Sequence, residues 1–220
     1  MAERVLKGER LEKELLRLAA MKSFEREYAA KGFTAICGID EAGRGPLAGP
    51  VAAACVILPP DTDILYLNDS KKLSPKRRDL LFDEIREKAA AYSVCMVGPE
   101  RIDEINILQA TYEAMRNAVG SLSVTPDLLL VDAVTIPGTG IRQVPIIKGD
   151  QKSASIAAAS ILAKVTRDRY MEECSAKWPE YGFDAHKGYG TAKHMAKLRE
   201  LGPCPIHRRS FLGFLTKDRG

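Results

Sequence analysis

The stretch from Thr34 to Pro60, TAICGIDEAGRGPLAGPVAAACVILPP, limits what this chain can fold into more than any other. It opens as an apolar run with Ala35, Ile36 and Ile39 and ends in two adjacent carboxylates, Asp40 and Glu41. Glycines at 43, 45 and 49 and prolines at 46 and 50 follow, then a second apolar run from Val51 to Leu58 that stops at Pro59-Pro60. Gly and Pro punctuating two β-compatible runs predict strand, loop, strand. Two acids at the mouth of a buried strand are costly unless a cation sits on them. An acidic turn is the plainer reading of Asp-Glu alone. Gly-Arg-Gly beside it counts against that reading, because flanking glycines let backbone N–H groups approach a ligand while the Arg44 guanidinium reaches for phosphate.

Two further apolar runs lead to acids: 127–133, DLLLVDA, with Asp132 near its end, and 144–150, VPIIKGD, ending at Asp150. Asp150 also reads as the cap of a helix starting near Ser153. Asp40 and Glu41 would point to opposite faces of a regular strand, so both reach one site only if the strand ends or bulges between them. Four carboxylates drawn together repel and raise one another's pKa, a conflict that hard divalent cations remove. Mg²⁺ or Mn²⁺ suits such a set better than zinc, which takes His or Cys. Two such ions roughly 3.5–4 Å apart can activate water and stabilise a leaving oxygen. The residues therefore point to metal-dependent phosphoryl hydrolysis.

Residues 3–31 read as one amphipathic helix with Leu11, Leu15, Leu18, Phe24 and Tyr28 inward, an extension spanning 1–33 ahead of a catalytic domain at 34–220. Asn68 to Leu73 forms a polar loop, and Ser70, Lys71 and Lys72 ahead of a helix start suit a phosphate as readily as solvent. Ser74-Pro75 supplies a cap and a proline at the first helical position. That helix turns Leu81, Ile85, Ala89 and Tyr92 inward, and 92–98 is a third strand. From Pro99 a second helix carries Ile105, Leu108, Tyr112, Met115 and Val119. A long helix over 153–177 begins with small residues suited to packing on a sheet, and its Asp168 reads as an ion-pair partner. Thr191 caps a last helix that Gly202-Pro203 ends. Tyr189, between two glycines, reads as exposed and available for stacking. His186, His194 and His207 fall among basic residues and read as solvated or phosphate-facing.

The net charge of +4 is uneven: residues 1–34 carry eight Lys/Arg against six Asp/Glu, residues 185–220 eight against two, and the middle is acidic. An acidic centre beside a basic tail fits carboxylates next to a phosphate-holding surface. Five cysteines with no CxxC pair predict reduced thiols in a cytoplasmic protein. No apolar run is long enough to span a membrane.

The block GIDEAGRGPLAGPV resembles the first active-site block of ribonuclease HII, and DSKKL, VDA, KGD, SIAAASILAKVTRD, HKGYGT and HRRSF extend the resemblance over about residues 34–212. The resemblance implies an α/β ribonuclease H-like fold, a mixed sheet of about five strands flanked by helices, with C-terminal helices after it. It implies a monomer that cuts RNA–DNA hybrids and DNA duplexes containing ribonucleotides. Asp40, Glu41, Asp132 and Asp150 would hold Mg²⁺ or Mn²⁺. Gly43, Arg44 and Gly45 would read the ribose 2′-hydroxyl, Tyr189 would stack at the RNA-to-DNA step, and Ser70, Lys71, Lys72 and Lys187 would contact substrate. Asp150, where ribonuclease HIII has Glu, and a leader of 34 residues separate the chain from that relative. Two rivals of other classes are a metal-independent ribonuclease using a histidine pair, and a non-catalytic hybrid-binding module. A nucleotide-binding loop at Gly43–Gly49 fits poorly, since the spacing is G-x-G-x-x-x-G.

Overall fold

The computed structural model describes residues 7–217. A five-stranded sheet in the order β3-β2-β1-β4-β5 organises the chain. Its strands are β1 (Ile36–Ala42), β2 (Val51–Ile57), β3 (Ala91–Val97), β4 (Leu128–Asp132) and β5 (Arg142–Ile146). β1 pairs antiparallel with β2 and parallel with β4, so the sheet is mixed, as expected. Parallel β1 and β4 end at the same edge, which brings Asp40 and Asp132 to neighbouring strand ends. Carboxyl ends of parallel strands are where α/β sheets bind ligands.

Helices cover both faces. On one lies α5 (Ala154–Lys177), with α3 (Pro75–Lys88) outside it; on the other lies α4 (Pro99–Gly120). The alanines and serines that open α5 let it sit hard against β1. A Cβ on Gly38 would fall inside the backbone of Ser155, so only glycine fits there. Ile156, Ile161 and Leu162 are fully buried along this face, each contributing about 2 kcal/mol over exposure. Ser74 caps α3 from its hydroxyl, accepting from the Arg77 N–H at 3.3 Å, and Thr191 caps the helix Ala192–Leu201 in the same way.

Several elements differ from the sequence reading, each for a local reason. The expected first helix breaks at Lys22 into α1 (Glu9–Met21) and α2 (Ser23–Ala29); residues 3–6 lie outside the described residues. The break lets Leu18 and Met21 enter the core beside α5 while Phe24 and Tyr28 pack on Ile36 and Leu128. Leu15 is left exposed. α4 is kinked at Asn106, whose φ of 68° interrupts the helix and whose Oδ1 accepts from the N–H groups of Leu108 and Gln109. The restart shifts the buried stripe to Ala110, Ala114, Met115 and Ala118 and leaves Leu108 outside. α3 ends at Lys88, so Tyr92 belongs to β3 and lies exposed. All five cysteines are free. Among the described residues no helix is long and apolar enough to cross a membrane.

Candidate active site

β1 runs through both acids without interruption, its pairs with β2 unbroken from Cys37↔Ile57 to Ala42↔Ala52. The expected bulge between Asp40 and Glu41 is therefore absent. Alternation sends Asp40 toward α5, where Ser160 hydrogen-bonds it. Glu41 leaves by the other face and reaches the same cleft at the end of the strand, with its Oε1 3.5 Å from an Arg44 nitrogen. Asp150 departs from the expectation too. β5 stops at Ile146, Lys148 turns the chain in a left-handed conformation, and Asp150 sits in a single 3₁₀ turn before α5. Ser153, not Asp150, caps α5. Asp132 Oδ1 accepts from the Gly149 N–H at 2.7 Å, tying the end of β4 to that turn.

Burial, then the charges of Glu41 and Asp132, push the Asp40 carboxyl well above the usual range. Burial also raises Glu41, with Arg44 pulling the other way. Asp150 is pushed up to about 6 by burial, then by Asp69 and Asp132. Asp132 thus acts on Asp40, Glu41 and Asp150 alike, while Arg44 and Lys71 relieve Glu41 and Lys71 relieves Asp150. Among the described residues no group of three or more Asp, Glu, His and Cys side chains is arranged to hold a metal ion as it stands.

A cleft of about 440 Å³ is lined by Glu41, Gly43, Arg44, Gly45, Ser70, Lys71 and Tyr189, among others, and of the four acids it takes in Glu41 alone. Tyr189 is 43% exposed, and its ring lies 3.8 Å from where a Gly45 Cβ would be. Ser70 is buried and shares a 2.9 Å hydrogen bond with Ser160. Lys72 lies outside this cleft. Lys187 lines the adjoining groove, its ammonium bonded to Glu172 and the Asp184 carbonyl at 2.6 Å each.

The shape of the glycine loop comes from two residues that sequence reasoning passed over. Arg167 is 1% exposed and donates to the carbonyls of Ala48, Pro50 and Lys187. Arg208 is fully buried and donates to those of Gly43, Arg44 and Gly49. Gly43, at φ 94°, has no room for a Cβ beside the Arg167 side chain. One signal did exist: Arg167 falls in the buried stripe Ala163, Arg167, Met171, Cys174. Asp69 and Ser160 were likewise missed, because neither lies near an acid in sequence.

The histidines are corrected outright. His186, His194 and His207 are buried rather than solvated. His194 Nδ1 donates to the Tyr189 carbonyl at 2.9 Å, and its Nε2 lies 3.0 Å from His207 Nε2. Phe183 and Tyr181 pack around them, and none of the three lines the cleft. Burial lowers His194 and His207 and favours their neutral imidazoles.

The chain's similarity to known proteins runs across this whole site. A family model for ribonuclease HII matches residues 37–213. A ribonuclease HII of Lachnoclostridium phytofermentans is 59% identical over 208 residues, spanning 94% of this chain and 81% of that protein. The ribonuclease H2 of Pyrococcus horikoshii OT3 is similar in structure, with a TM-score of 0.70 at 30% identity over 84% of this chain and 96% of that one. The ribonuclease HII of Archaeoglobus fulgidus, solved as a complex with PCNA, has a TM-score of 0.68 at 31% identity over 80% and 94% of the two chains. A mixed sheet that carries acids to one edge, matched in sequence over most of its length, assigns the chain to the ribonuclease HII family, endoribonucleases of the ribonuclease H class.

Proposed function

We propose that the protein hydrolyses the RNA strand of RNA–DNA hybrids and cuts on the 5′ side of single ribonucleotides within duplex DNA, leaving 3′-hydroxyl and 5′-phosphate ends. Such an activity serves removal of ribonucleotides and RNA primers from DNA. The observation that carries the reading is the group of buried acids with raised affinity for protons beside a cationic cleft. Carboxylates that raise one another's pKa by repulsion are relieved when a divalent cation stands among them. Asp40, Glu41, Asp132 and Asp150 are the residues that would bind Mg²⁺ or Mn²⁺, since all four offer carboxylate oxygen and no soft donor stands among them. When bound, a pair of such ions supplies an activated water and relief of charge on the leaving oxygen.

The chain's own groups account for selection. Arg208 takes up the carbonyls of Gly43 and Arg44, fixing the backbone of the loop from which Gly43, Arg44 and Gly45 would sense a 2′-hydroxyl. Arg44 and Lys71 stand at the cleft for phosphate, with Ser70 held between them and α5. Tyr189 offers a ring beside Gly45 on which a sugar lacking its 2′-hydroxyl would pack. Lys72 and Lys187 belong, on this reading, to the flanking duplex.

A DNA duplex with one embedded ribonucleotide tests the reading. Cleavage is expected with Mg²⁺ or Mn²⁺, on the 5′ side of the ribonucleotide, and not with chelator. Chelator-resistant cleavage giving a 2′,3′-cyclic phosphate would favour the histidine rival. Binding with no cleavage under any divalent ion would favour the binding module.

A further inference from the structure

The two N-terminal helices do more than cover the sheet, because two of their carboxylates grip the segments that carry one side of the acid group. Glu25, on α2, accepts through a single oxygen from the Ser153 hydroxyl at 2.6 Å, the Ser155 N–H at 2.9 Å and the Ser155 hydroxyl at 2.6 Å. These bonds reach 128 and 130 residues along the chain, to the start of α5. Ser153 in turn caps α5 by accepting from the Ile156 N–H, and its own N–H donates to the Gly149 carbonyl. The turn holding Asp150 is thus fastened at its C-terminal end through Glu25. The second Glu25 oxygen is buried with no hydrogen-bond partner. A carboxylate kept there at that cost is held for the three bonds its other oxygen makes.

Glu14, on α1, acts on the opposite segment. It accepts from the Tyr66 N–H at 2.6 Å, where Tyr66 has a φ of 68°, a conformation a bulky side chain adopts only when held. Arg17 grips both Glu14 oxygens. Lys22 adds an ion pair to Asp63 at 2.7 Å. Three residues after Tyr66 comes Asp69, whose carboxylate stands against that of Asp150. Leu18 and Met21 belong to one buried cluster with Ile64 and Leu67 of the first segment and Ala154 and Ala157 of the second.

We propose that Glu14 and Glu25 are positioning residues for cation capture, setting the separation of the Asp69 loop from the Asp150 turn. This rests on the reading above that Asp150 is a cation ligand. Neither glutamate touches the cleft, so each acts through the backbone it holds.

The test is calorimetric titration of the full chain with Mn²⁺, read beside thermal melting and hybrid binding in chelator. Glu25→Ala is expected to weaken Mn²⁺ binding about 10-fold, the loss typical when a ligand's support is removed. Hybrid binding in chelator stays as in the wild type. The Mn²⁺ concentration for half-maximal cleavage rises by the same factor, with the rate at saturating Mn²⁺ recovered. Glu25→Gln, which keeps an acceptor oxygen, restores most of the affinity, and Glu14→Ala shows a smaller loss of the same kind. Where Glu25→Ala fails to fold, Ser155→Ala removes one of the hydroxyl bonds from the other side and is expected to weaken Mn²⁺ binding too. Wild-type Mn²⁺ affinity in folded Glu25→Ala and Ser155→Ala, with only the melting temperature lowered, would overturn the proposal alone. A wild type that binds no Mn²⁺ would overturn the cation reading and this proposal with it.

Discussion

Two regions of this molecule bury charge, and they do so in opposite ways. At the carboxyl edge of β1 and β4, acids lie close enough to raise one another's pKa. Behind the glycine loop, Arg167 and Arg208 are buried just as deeply, yet each spreads its guanidinium over three backbone carbonyls. Each arginine meets three fixed acceptors through Nε, Nη1 and Nη2, even though burial and then the Arg167 charge push Arg208 down to about 9. The acids are only partly met: Ser160 and the Glu41 N–H bond Asp40, the Gly149 N–H bonds Asp132 and Arg44 stands 3.5 Å from Glu41, yet burial and neighbouring carboxylates still hold Asp40 and Asp150 above their usual range. Satisfied buried charge shapes a loop, and unsatisfied buried charge waits for a counter-ion. Substitution in the first region should therefore cost chemistry while sparing the fold, and substitution in the second should cost the fold first.

The largest effect is expected from Asp132→Asn. It keeps the side-chain oxygen that accepts from Gly149 but removes a charge. Cleavage should fall about a thousandfold, some 4 kcal/mol of transition-state stabilisation, with hybrid binding retained. Near wild-type turnover in Mg²⁺ would end the equivalence of the four acids. Arg208→Met comes next, leaving the carbonyls of Gly43, Arg44 and Gly49 unpaired and lowering stability by about 3 kcal/mol in chemical denaturation. A variant of unchanged stability would show that the loop holds its shape without the guanidinium.

The histidine cluster extends the satisfied region and gives it a pH dependence. Burial, then His194, pushes His207 down to about 4, against about 6.5 in an unfolded chain. Between those values the unfolded chain binds a proton that the folded chain refuses, so stability falls as pH drops from about 6.5 to about 4. The loss should be about 1–2 kcal/mol once solvent screening is allowed for. His194 and His186 face the same ring and act in the same direction, and Cys204 donates to it from backbone and thiol. Denaturation across that range checks the slope, and His207→Gln should flatten it.

The smallest effect lies where the two regions meet. Tyr189 takes its backbone position from His194 and presents its ring beside Gly45. Tyr189→Ala should reduce the preference for a single embedded ribonucleotide over a uniform hybrid by about tenfold, the cost of desolvating one hydroxyl against a ring. Tyr189→Phe should keep it. Equal losses on both substrates would make the ring a general structural element.

The sequence was most informative where neighbours in the chain are also neighbours in space. The strand–loop–strand from Thr34 to Pro60, the Ser74 and Thr191 caps and Asp132 at the end of β4 all depend on local spacing. What local spacing cannot carry is the identity of partners more than a hundred residues away. Arg167 reaches Pro50 across 117 residues and Arg208 reaches Gly43 across 165, so local spacing assigned neither arginine a role. The histidines misled for the same reason. Lys193 and Arg209 beside them are exposed, while Arg208 is buried with them and Phe183 and Tyr181 enclose the rings. Asp150 looked like the end of a strand because Lys148 takes a left-handed turn that no composition signals.

Melting of wild type and Asp40→Asn, each in chelator and in Mn²⁺, addresses the contrast between the two kinds of buried charge at its root. Asparagine retains an acceptor for the Glu41 N–H and can donate to Ser160, so little changes except the charge. The expected result is that Asp40→Asn melts higher than wild type in chelator, by an amount on the order of 1 kcal/mol as repulsion is relieved. Mn²⁺ should raise the wild-type midpoint and leave that of Asp40→Asn nearly unmoved. An Asp40→Asn protein that melts lower in chelator and still responds fully to Mn²⁺ would contradict it, and would mean that the acids are as complete within the fold as the arginines.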